Sequence, residues 1–269
     1  PLAWSSAASD VYKRQMHGNG NDFVVMDSIR DDFVPKKIFI RKLADRNTGV
    51  GFDQLILIDL PTKPDLDFFV KFYNADGSQA NMCLNGVRCA ASYIWSHSLA
   101  PKKSLKFQTK KIELLCEPFK NQVKVTVPCP KIYQNVNLSK SISKKLNGLT
   151  FDLVDVGNIH LCIKKNSISK DDLSALYKKL EKNIQPFGIN LSIYKNVKGI
   201  AEIRTYENGV GETLSCGSAS LSVSSLLLKG KINKLRIRSF GGELKFVKSN
   251  ESILMTGPTA FVYSGDINE

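Results

Sequence analysis

The sequence predicts an α+β protein built from two similar domains that face each other across a cleft. Short β-branched and apolar segments alternate with a few amphipathic ones, and many of the connections are too short for a crossover unit. Each half of the chain also shows the same succession of a strand, a Gly-bearing turn, a cysteine, a helix and then hairpins. The two cysteines, Cys83 and Cys216, lie about half the chain apart, so we predict one copy of this unit in each half.

The first half carries six predicted strands and two predicted helices. Pro35 opens the first helix, which should turn Ile38, Phe39 and Leu43 toward a core. The second helix has an apolar stripe at i, i+3, i+4, i+7 and i+8, counted from Val87. The strands are predicted at residues 23–27, 54–60, 68–74, 105–108, 112–116 and 123–127.

The second half repeats this pattern. An amphipathic helix is predicted over residues 171–182, and another runs from Cys216 through Leu228 to a cap at Gly230. The strands are predicted at residues 153–156, 160–163, 200–206, 235–239, 244–247, 253–256 and 261–263. By contrast, residues 1–15 show neither periodicity nor turn signals, and we interpret them as a non-native addition.

The composition indicates a folded globular chain, with 42% hydrophobic and 23% charged residues. No apolar run approaches the roughly 18 residues of a membrane span, and no secretory signal is recognisable, so we expect a cytoplasmic protein without a membrane partner. The net charge of +13 comes from lysines scattered among acidic residues, which favours a solvated surface and no nucleic-acid partner. The alternative, a basic nucleic-acid-binding protein with buried thiols, predicts salt-sensitive retention on DNA or RNA and indifference to thiol alkylation.

Neither the spacing of the six cysteines nor the three histidines suggests a metal site. Without a secretion signal the cysteines should be free thiols, and core packing is the default for each. Two of them differ in their surroundings, since Cys83 and Cys216 each stand directly before a predicted helix.

A cysteine at a helix N-terminus lies against unpaired backbone N–H groups, which can lower a thiol pKa into a range of roughly 3.5–7.5. The same N–H groups can hold a carboxylate. Two such helix starts, facing each other, fit inversion at a carbon next to a carboxylate, where one thiolate removes the proton and the opposite thiol supplies another. No lysine motif for a pyridoxal cofactor is evident. The plainer interpretation is that both are small buried residues.

At this point the sequence resembles the diaminopimelate epimerase family, within the cofactor-independent amino-acid racemase and epimerase superfamily. The similarity extends from Met16 to Ile267 and rests on short segments in the same order. Besides the two cysteine motifs, they are His17-Gly18-Asn19-Gly20-Asn21-Asp22-Phe23, Gly51-Phe52-Asp53-Gln54, Asn74-Ala75-Asp76-Gly77-Ser78, Gly157-Asn158-Ile159-His160, Gly211-Glu212-Thr213, Gly241-Gly242 and Met255-Thr256-Gly257-Pro258.

The resemblance implies two α/β domains related by a pseudo-twofold axis, each a mostly antiparallel sheet curled around a central helix, with the active site between them. The implied limits are residues 16–120, joined by a C-terminal strand at 262–269, and residues 121–261. It also implies interconversion of LL- and meso-2,6-diaminopimelate for lysine and peptidoglycan precursors, without a cofactor, in a homodimer. The small-molecule partner would be this amino acid.

The resemblance also assigns roles to residues. Cys83 and Cys216 would be catalytic, His160 and Glu207 would tune the thiol pKa values, and Tyr263 would lie at a dimer interface. Amide side chains suit a ligand with both ammonium and carboxylate groups, since they donate and accept. The implied substrate-binding residues are Asn21, Gln54, Asn74, Leu84, Asn85, Asn158, Asn190, Glu207, Asn208, Gly217 and Ser218.

Four positions depart from the family pattern. Leu84 and Ala219 replace glycines, and Ile159 replaces a proline. Leu84 can still offer its N–H, provided that its φ is negative. Asn208 replaces an arginine that would pair with the distal carboxylate, and an amide cannot supply that charge. Two alternatives therefore stay open: a related two-cysteine racemase of a different amino acid, and a non-catalytic member that binds substrate but exchanges no α-proton.

Overall fold

The computed structural model describes residues 11–29, 34–197 and 199–267, which form helices and strands in alternation. The helices are α1 (Lys37–Ala44), α2 (Leu84–Ser96), α3 (Val136–Leu146), α4 (Leu173–Ile184) and α5 (Gly217–Leu227). The strands are β1 (Val11–Gly18), β2 (Asn21–Asp27), β3 (Gln54–Asp59), β4 (Phe68–Asn74), β5 (Gln79–Ala80), β6 (Leu105–Gln108), β7 (Glu113–Phe119), β8 (Gln122–Pro128), β9 (Lys131–Ile132), β10 (Phe151–Asp155), β11 (Ile159–Lys164), β12 (Asn190–Val197), β13 (Ile200–Glu207), β14 (Gly211–Thr213), β15 (Lys234–Ser239), β16 (Gly242–Ser249), β17 (Ser252–Gly257) and β18 (Ala260–Ile267).

The strands pair into one continuous sheet whose two halves mirror each other in topology. The first half runs β18-β1-β2-β3-β4-β6-β7-β8, and the second runs β9-β10-β11-β12-β13-β15-β16-β17. The halves join where β8 pairs antiparallel with β17. From that junction outward, both halves show the same order of antiparallel and parallel pairs, and each parallel pair is bridged by a helix. The α+β fold with two similar units is thus confirmed.

The last strand of each unit crosses to the other unit. β18 follows β17 along the chain but pairs with β1, and β9 follows β8 but pairs with β10. The repeat therefore divides after β8, whereas the sequence places the division at residue 120, before that strand. Residues 11–15, which we set aside as an addition, form the first part of β1, and residues 1–10 lie outside the described residues.

The core has a central layer and two outer ones. The central cluster surrounds both α2 and α5 and includes side chains from both halves of the sheet. α1 covers the outer face of the first half, while α3 and α4 cover that of the second. β2 is buried on both faces, since Val25 belongs to the central cluster and Val24 to the outer one.

One core prediction was wrong. Ile38 is 81% exposed, and α1 instead buries Ile40, Leu43 and Ala44. The run Ile38-Phe39-Ile40 leaves the helical phase open, and only the i, i+3, i+4 set starting at Ile40 forms a continuous stripe with Leu43. Within the described ranges, no helix is both long and apolar enough to span a membrane.

Candidate active site

In the first half, three polar side chains meet at one edge of the sheet because of strand direction. β2 and β3 are parallel and both start at this edge, whereas the antiparallel β4 ends there. Asn21 and Gln54 are the first residues of β2 and β3, and Asn74 is the last residue of β4. Gln54 and Asn74 are paired in register, and Gln54 Nε2 donates to Asn74 Oδ1 at 2.8 Å.

The second half builds the same edge from the equivalent strands. Asn158 directly precedes β11, Asn190 begins β12 and Glu207 ends β13. Asn208 follows Glu207 into the turn, where its backbone N–H donates to Asn190 Oδ1 at 2.9 Å. Tyr177 Oη donates to Asn208 Oδ1 at 2.7 Å. The pseudo-twofold repeat thus presents two sets of polar side chains to one space: amides from the first half, and amides with the Glu207 carboxylate from the second.

The two central helices begin at this space. Cys83 and Cys216 occupy the residue directly before α2 and α5, in extended conformations with φ of −140° and −115°. Leu84 is the first residue of α2, so its backbone is helical and keeps the N–H that the substituted glycine would offer. A Cβ placed on Gly217 would lie 3.1 Å from Cβ of Leu84, so only glycine lets the two helix starts approach this closely.

Between these elements lies a cavity of about 740 Å³. Its lining includes both cysteines and every predicted substrate-binding residue: Asn21, Gln54, Asn74, Leu84, Asn85, Asn158, Asn190, Glu207, Asn208, Gly217 and Ser218. Two predicted residues lie elsewhere. His160 is fully buried behind Ser218, with Nε2 at 3.0 Å from the Ser218 hydroxyl, and Tyr263 lies on β18.

Each thiol has a polar neighbour from its own half. Cys83 Sγ lies 3.6 Å from Asn21 Oδ1, and Cys216 Sγ lies 3.3 Å from Ser218 Oγ. The backbone N–H groups of Asn85 and Gly86 point at the Cys83 thiol, and that of Ala219 points at Cys216.

Burial decides the thiol acidities, and the predicted lowering was wrong. It raises the pKa of Cys83 to about 12, although hydrogen bonds from Gly86 and Asn85 and the charge of Arg88 act in the opposite direction. Burial, together with the negative charge of Glu207, raises the pKa of Cys216 well above its usual value. The helix N-termini therefore oppose the desolvation of the thiols without overcoming it.

Glu207 and His160, the two residues predicted to tune the thiol pKa values, differ in how they act. Burial raises the pKa of Glu207, while hydrogen bonds from Thr213 and Cys216 partly lower it. Thr213 Oγ1 donates to Glu207 Oε1 at 2.7 Å. Burial lowers the pKa of His160 to about 3, so this imidazole is neutral near pH 7 and reaches Cys216 only through Ser218.

An ion-pair network at the cavity rim was not predicted. Arg46 donates to Asp22 at 2.9 Å and to Asp53 at 3.0 Å. Asn21 Nδ2 donates to Asp53 Oδ2 at 2.7 Å, which turns the Asn21 oxygen toward Cys83. Asp22 and Asp53 lie inside the family-like segments, so the sequence held a signal for them; nothing marked Arg46.

Lys111 is a second unpredicted lining residue. It lies in the turn before β7, and its Nζ donates to the carbonyl of Gly157, from the other half, at 2.8 Å. No sequence feature distinguishes it from the other lysines. Within the described ranges, no group of three or more His, Cys, Asp or Glu residues is placed to hold a metal ion.

Comparisons with known proteins agree with this geometry. Residues 14–129 match the family model described as diaminopimelate epimerase. The chain is 34% identical to a diaminopimelate epimerase from Psychrobacter sp. (strain PRwf-1), over 93% of this chain and 92% of that protein. It is also 34% identical to a diaminopimelate epimerase from Buchnera aphidicola subsp. Baizongia pistaciae (strain Bp), over 93% of each.

Two solved structures share the fold at low sequence identity. A phenazine biosynthesis protein of the PhzF family from Bacillus anthracis superposes with a TM-score of 0.71 at 14% identity, over 96% of this chain and 99% of that one. A hydroxyproline epimerase from Agrobacterium vitis, with bound trans-4-hydroxy-L-proline, gives a TM-score of 0.69 at 12% identity, over 99% and 92% of the chains.

Proposed function

Because the chain belongs to the diaminopimelate epimerase family, we propose that it interconverts LL- and meso-2,6-diaminopimelate by inverting one α-carbon. The observation that carries this proposal is the placement of Cys83 and Cys216 directly before two facing helices at one cavity. Such an isomerase needs one base and one acid on opposite sides of the same carbon.

In the forward direction one cysteine thiolate takes the α-proton, which forms an S–H bond as the C–H bond breaks. The opposite thiol then gives its proton to the other face of the carbon, and its S–H bond breaks as the new C–H bond forms. Atoms and charge balance, and the two cysteines exchange roles. The negative charge that develops on the carboxylate faces the N-termini of α2 and α5, where Asn85, Gly217 and Ser218 present N–H groups.

The cavity also offers acceptors for ammonium groups. Gln54 Oε1 is buried and has no hydrogen-bond partner among the described residues, although Gln54 lines the cavity. A buried unpaired acceptor is costly, and a substrate ammonium would satisfy it. Positive charge brought in by the substrate also lowers the pKa of nearby thiols, which burial holds high in the free protein.

The alternative function, racemisation of a different amino acid, depends on whether the cavity can bind the distal carboxylate of diaminopimelate. Asn208 supplies an amide where the family has an arginine, and its oxygen is occupied by Tyr177. Among the described residues, two cationic side chains line the cavity, and one of them, Arg46, is already paired with Asp22 and Asp53. Lys111 donates only to a backbone carbonyl in the part of the chain that the structure describes, so it is free to meet a second carboxylate.

Two further features belong to the proposal. In the part of the chain that the structure describes, β18 is an edge strand paired only with β1, and it exposes Phe261, Val262 and Tyr263. Such an edge is usually covered, and we assign it to the interface of a homodimer. All six cysteines, each within the described ranges, have free thiols, as a reducing cytoplasm would keep them.

Solvent exchange tests the proposed reaction. Purified protein in deuterium oxide should place deuterium at an α-carbon of LL-diaminopimelate, detected by NMR, and should convert it to the meso form. Cys83→Ala and Cys216→Ala should each abolish epimerisation, whereas Cys129→Ala, which changes a thiol outside the cavity, should retain it.

Lysine, which lacks the second carboxylate, is the matched alternative substrate. Exchange of lysine but not of diaminopimelate would favour the other racemase, and full activity in either cavity-cysteine variant would overturn the two-base mechanism.

A further inference from the structure

Arg88 is a fully buried arginine one helical turn beyond Cys83. Its guanidinium group donates to neutral acceptors from three segments: Asn19 Oδ1 and Asn85 Oδ1 at 3.0 Å, Leu84 O at 3.3 Å and Pro258 O at 3.5 Å. Among the described residues no ion pair includes it, and the ionisable groups that influence it are cysteines. Arginine stays charged in proteins, so this positive charge has no counterion among the residues that the structure describes.

The surroundings are shaped to hold this side chain. A Cβ on Gly257 would lie 3.0 Å from Nε of Arg88, and one on Gly18 would lie 3.1 Å from Nη2. Two glycines from opposite ends of the chain thus leave room for the guanidinium. A buried charge without an opposite charge nearby carries a desolvation cost that hydrogen bonds to neutral groups only partly offset. The fold thus encloses the guanidinium closely and gives it only neutral acceptors among the described residues.

The charge reaches the reaction site through Asn85. Because Arg88 binds the Asn85 oxygen, the Asn85 amide nitrogen is turned toward Asn21 Oδ1 at 3.4 Å and Ser215 O at 3.2 Å. Asn85 lines the cavity, and a Cβ on Gly217 would lie 3.0 Å from its oxygen. Arg88 therefore contacts the start of α2 directly, through Leu84 O, and the Asn85 side chain separates it from the start of α5.

We propose that Arg88 is a positioning residue that fixes Asn85 and sets an uncompensated positive charge behind the helix starts that receive the reacting carboxylate. When the α-proton leaves, the carboxylate gains negative charge, and this fixed charge stabilises it from behind the first layer of N–H donors. The inference rests on the proposed function, since it needs a reaction in which charge develops at that carboxylate.

The sharpest test neutralises the charge without removing the arginine. Asn19 accepts from Arg88 and does not line the cavity, so Asn19→Asp keeps the shape and adds a carboxylate at the same position. A purely structural arginine would be strengthened by this ion pair. We expect the melting temperature of Asn19→Asp to equal or exceed that of the unmodified protein, while kcat for diaminopimelate falls about 10-fold or more and KM changes by less than about threefold.

Asn19→Gly is the neutral control, because its positive φ of 57° suits glycine. This variant should have a lower melting temperature, because Arg88 loses its hydrogen bond to Asn19, and it should keep kcat, because the charge of Arg88 stays uncompensated. An Asn19→Asp protein with raised stability and unchanged kcat would overturn the inference.

A second measurement does not depend on the substrate. Arg88→Lys keeps the charge and Arg88→Met removes it, and both are compared by the pH dependence of Cys83 alkylation in the Cys216→Ala background. The apparent pKa of Cys83 should rise in Arg88→Met and stay near its original value in Arg88→Lys. Equal profiles in the two would overturn the inference. An unmodified protein that exchanges no proton of diaminopimelate would instead refute the proposed function, and the alkylation profiles would still report on Arg88.

Discussion

The thiol of Cys216 shares its surroundings with the buried carboxylate of Glu207, whose negative charge raises the pKa of that thiol. Glu207→Gln removes the charge and keeps the shape, so the apparent pKa of Cys216 should fall. The measurement is the rate of alkylation against pH in the Cys83→Ala background, where a shift of the profile toward lower pH is expected. Glu251→Gln, which changes an exposed carboxylate, should leave the profile in place.

The same substitution has a stability consequence with a defined sign. Burial raises the pKa of Glu207 in the folded state, so its favourable contribution is complete below the unfolded pKa and is lost as pH rises through the folded value. Glu207→Gln should therefore gain stability relative to the unmodified protein near pH 7, and this gain should vanish in acid. Denaturant unfolding at several pH values measures the difference in unfolding free energy between the variant and the unmodified protein. A difference that is the same at every pH would contradict the raised pKa of Glu207.

Lys111 supplies a test of how the second carboxylate is recognised. If its ammonium group binds that carboxylate, Lys111→Met should raise KM for diaminopimelate by about 10-fold or more, as expected for the loss of a charge-assisted hydrogen bond. Lys110→Met changes the neighbouring lysine, which does not line the cavity, and should have little effect. Steady-state kinetics measure KM in both variants. Equal KM values would show that Lys111 does not bind the substrate.

At this scale, the sequence predicts those site residues that belong to local patterns. Cys83 and Cys216 stand out because each precedes an apolar helix, and most of the amides stand out because they lie in family-like segments. Lys111 could not be found in this way, since its role depends on a contact with Gly157 in the other half. The thiol acidities were mispredicted for a related reason: a helix start is a local feature, whereas burial is a property of the assembled cavity.

Among the elements, α2 shows how tightly the site is tied to the core. A Cβ on Gly86 would lie 2.7 Å from Cε1 of Phe72 and 3.1 Å from Cδ1 of Ile56. Gly86→Ala should therefore destabilise the fold by about 1–3 kcal/mol, because the core must move to admit a methyl group. Thermal unfolding measures this. Gly265→Ala, whose added Cβ would meet no described residue within 4 Å, is the control, and equal melting temperatures for the two variants would contradict the packing argument.

Two of the elements that sequence patterns miss, β1 and α3, share a physical cause. β1 buries Lys13 and Gln15, so its inward positions lack the apolar alternation that indicates a strand. α3 has an Asn135 cap, and it buries Leu138, Ile142 and Leu146, but its serines and lysines dilute that stripe. The four-residue spacing is visible once the helix is known, and it is too sparse to identify one beforehand.

For the molecule as a whole, the sequence predicts the repeat and the cleft but not the exchange of strands between units. Two similar patterns, each with a cysteine before a helix, suffice to place two units face to face. The pairing of β18 with β1 and of β9 with β10 depends on contacts between distant parts of the chain. These exchanges tie each half to the other beside the β8–β17 junction. The two halves, each carrying one of the cavity cysteines Cys83 and Cys216, are thereby held together by pairing at three places in the sheet.

The exchanged strand β18 also leads to a prediction about assembly. Its free edge exposes Val262 to 52%, and a charged residue on an edge strand opposes pairing with another strand. Val262→Lys should shift a dimer toward monomer in sedimentation velocity, and Tyr263→Ala should weaken it. Val136→Lys, which replaces a 68% exposed valine on α3, should stay dimeric. Because β18 pairs with β1, and β1 pairs with the strand that carries Asn21, the monomeric variant should also lose part of its epimerase activity. A monomeric unmodified protein would refute the homodimer, whereas a Val262→Lys variant that remains dimeric would place the interface elsewhere.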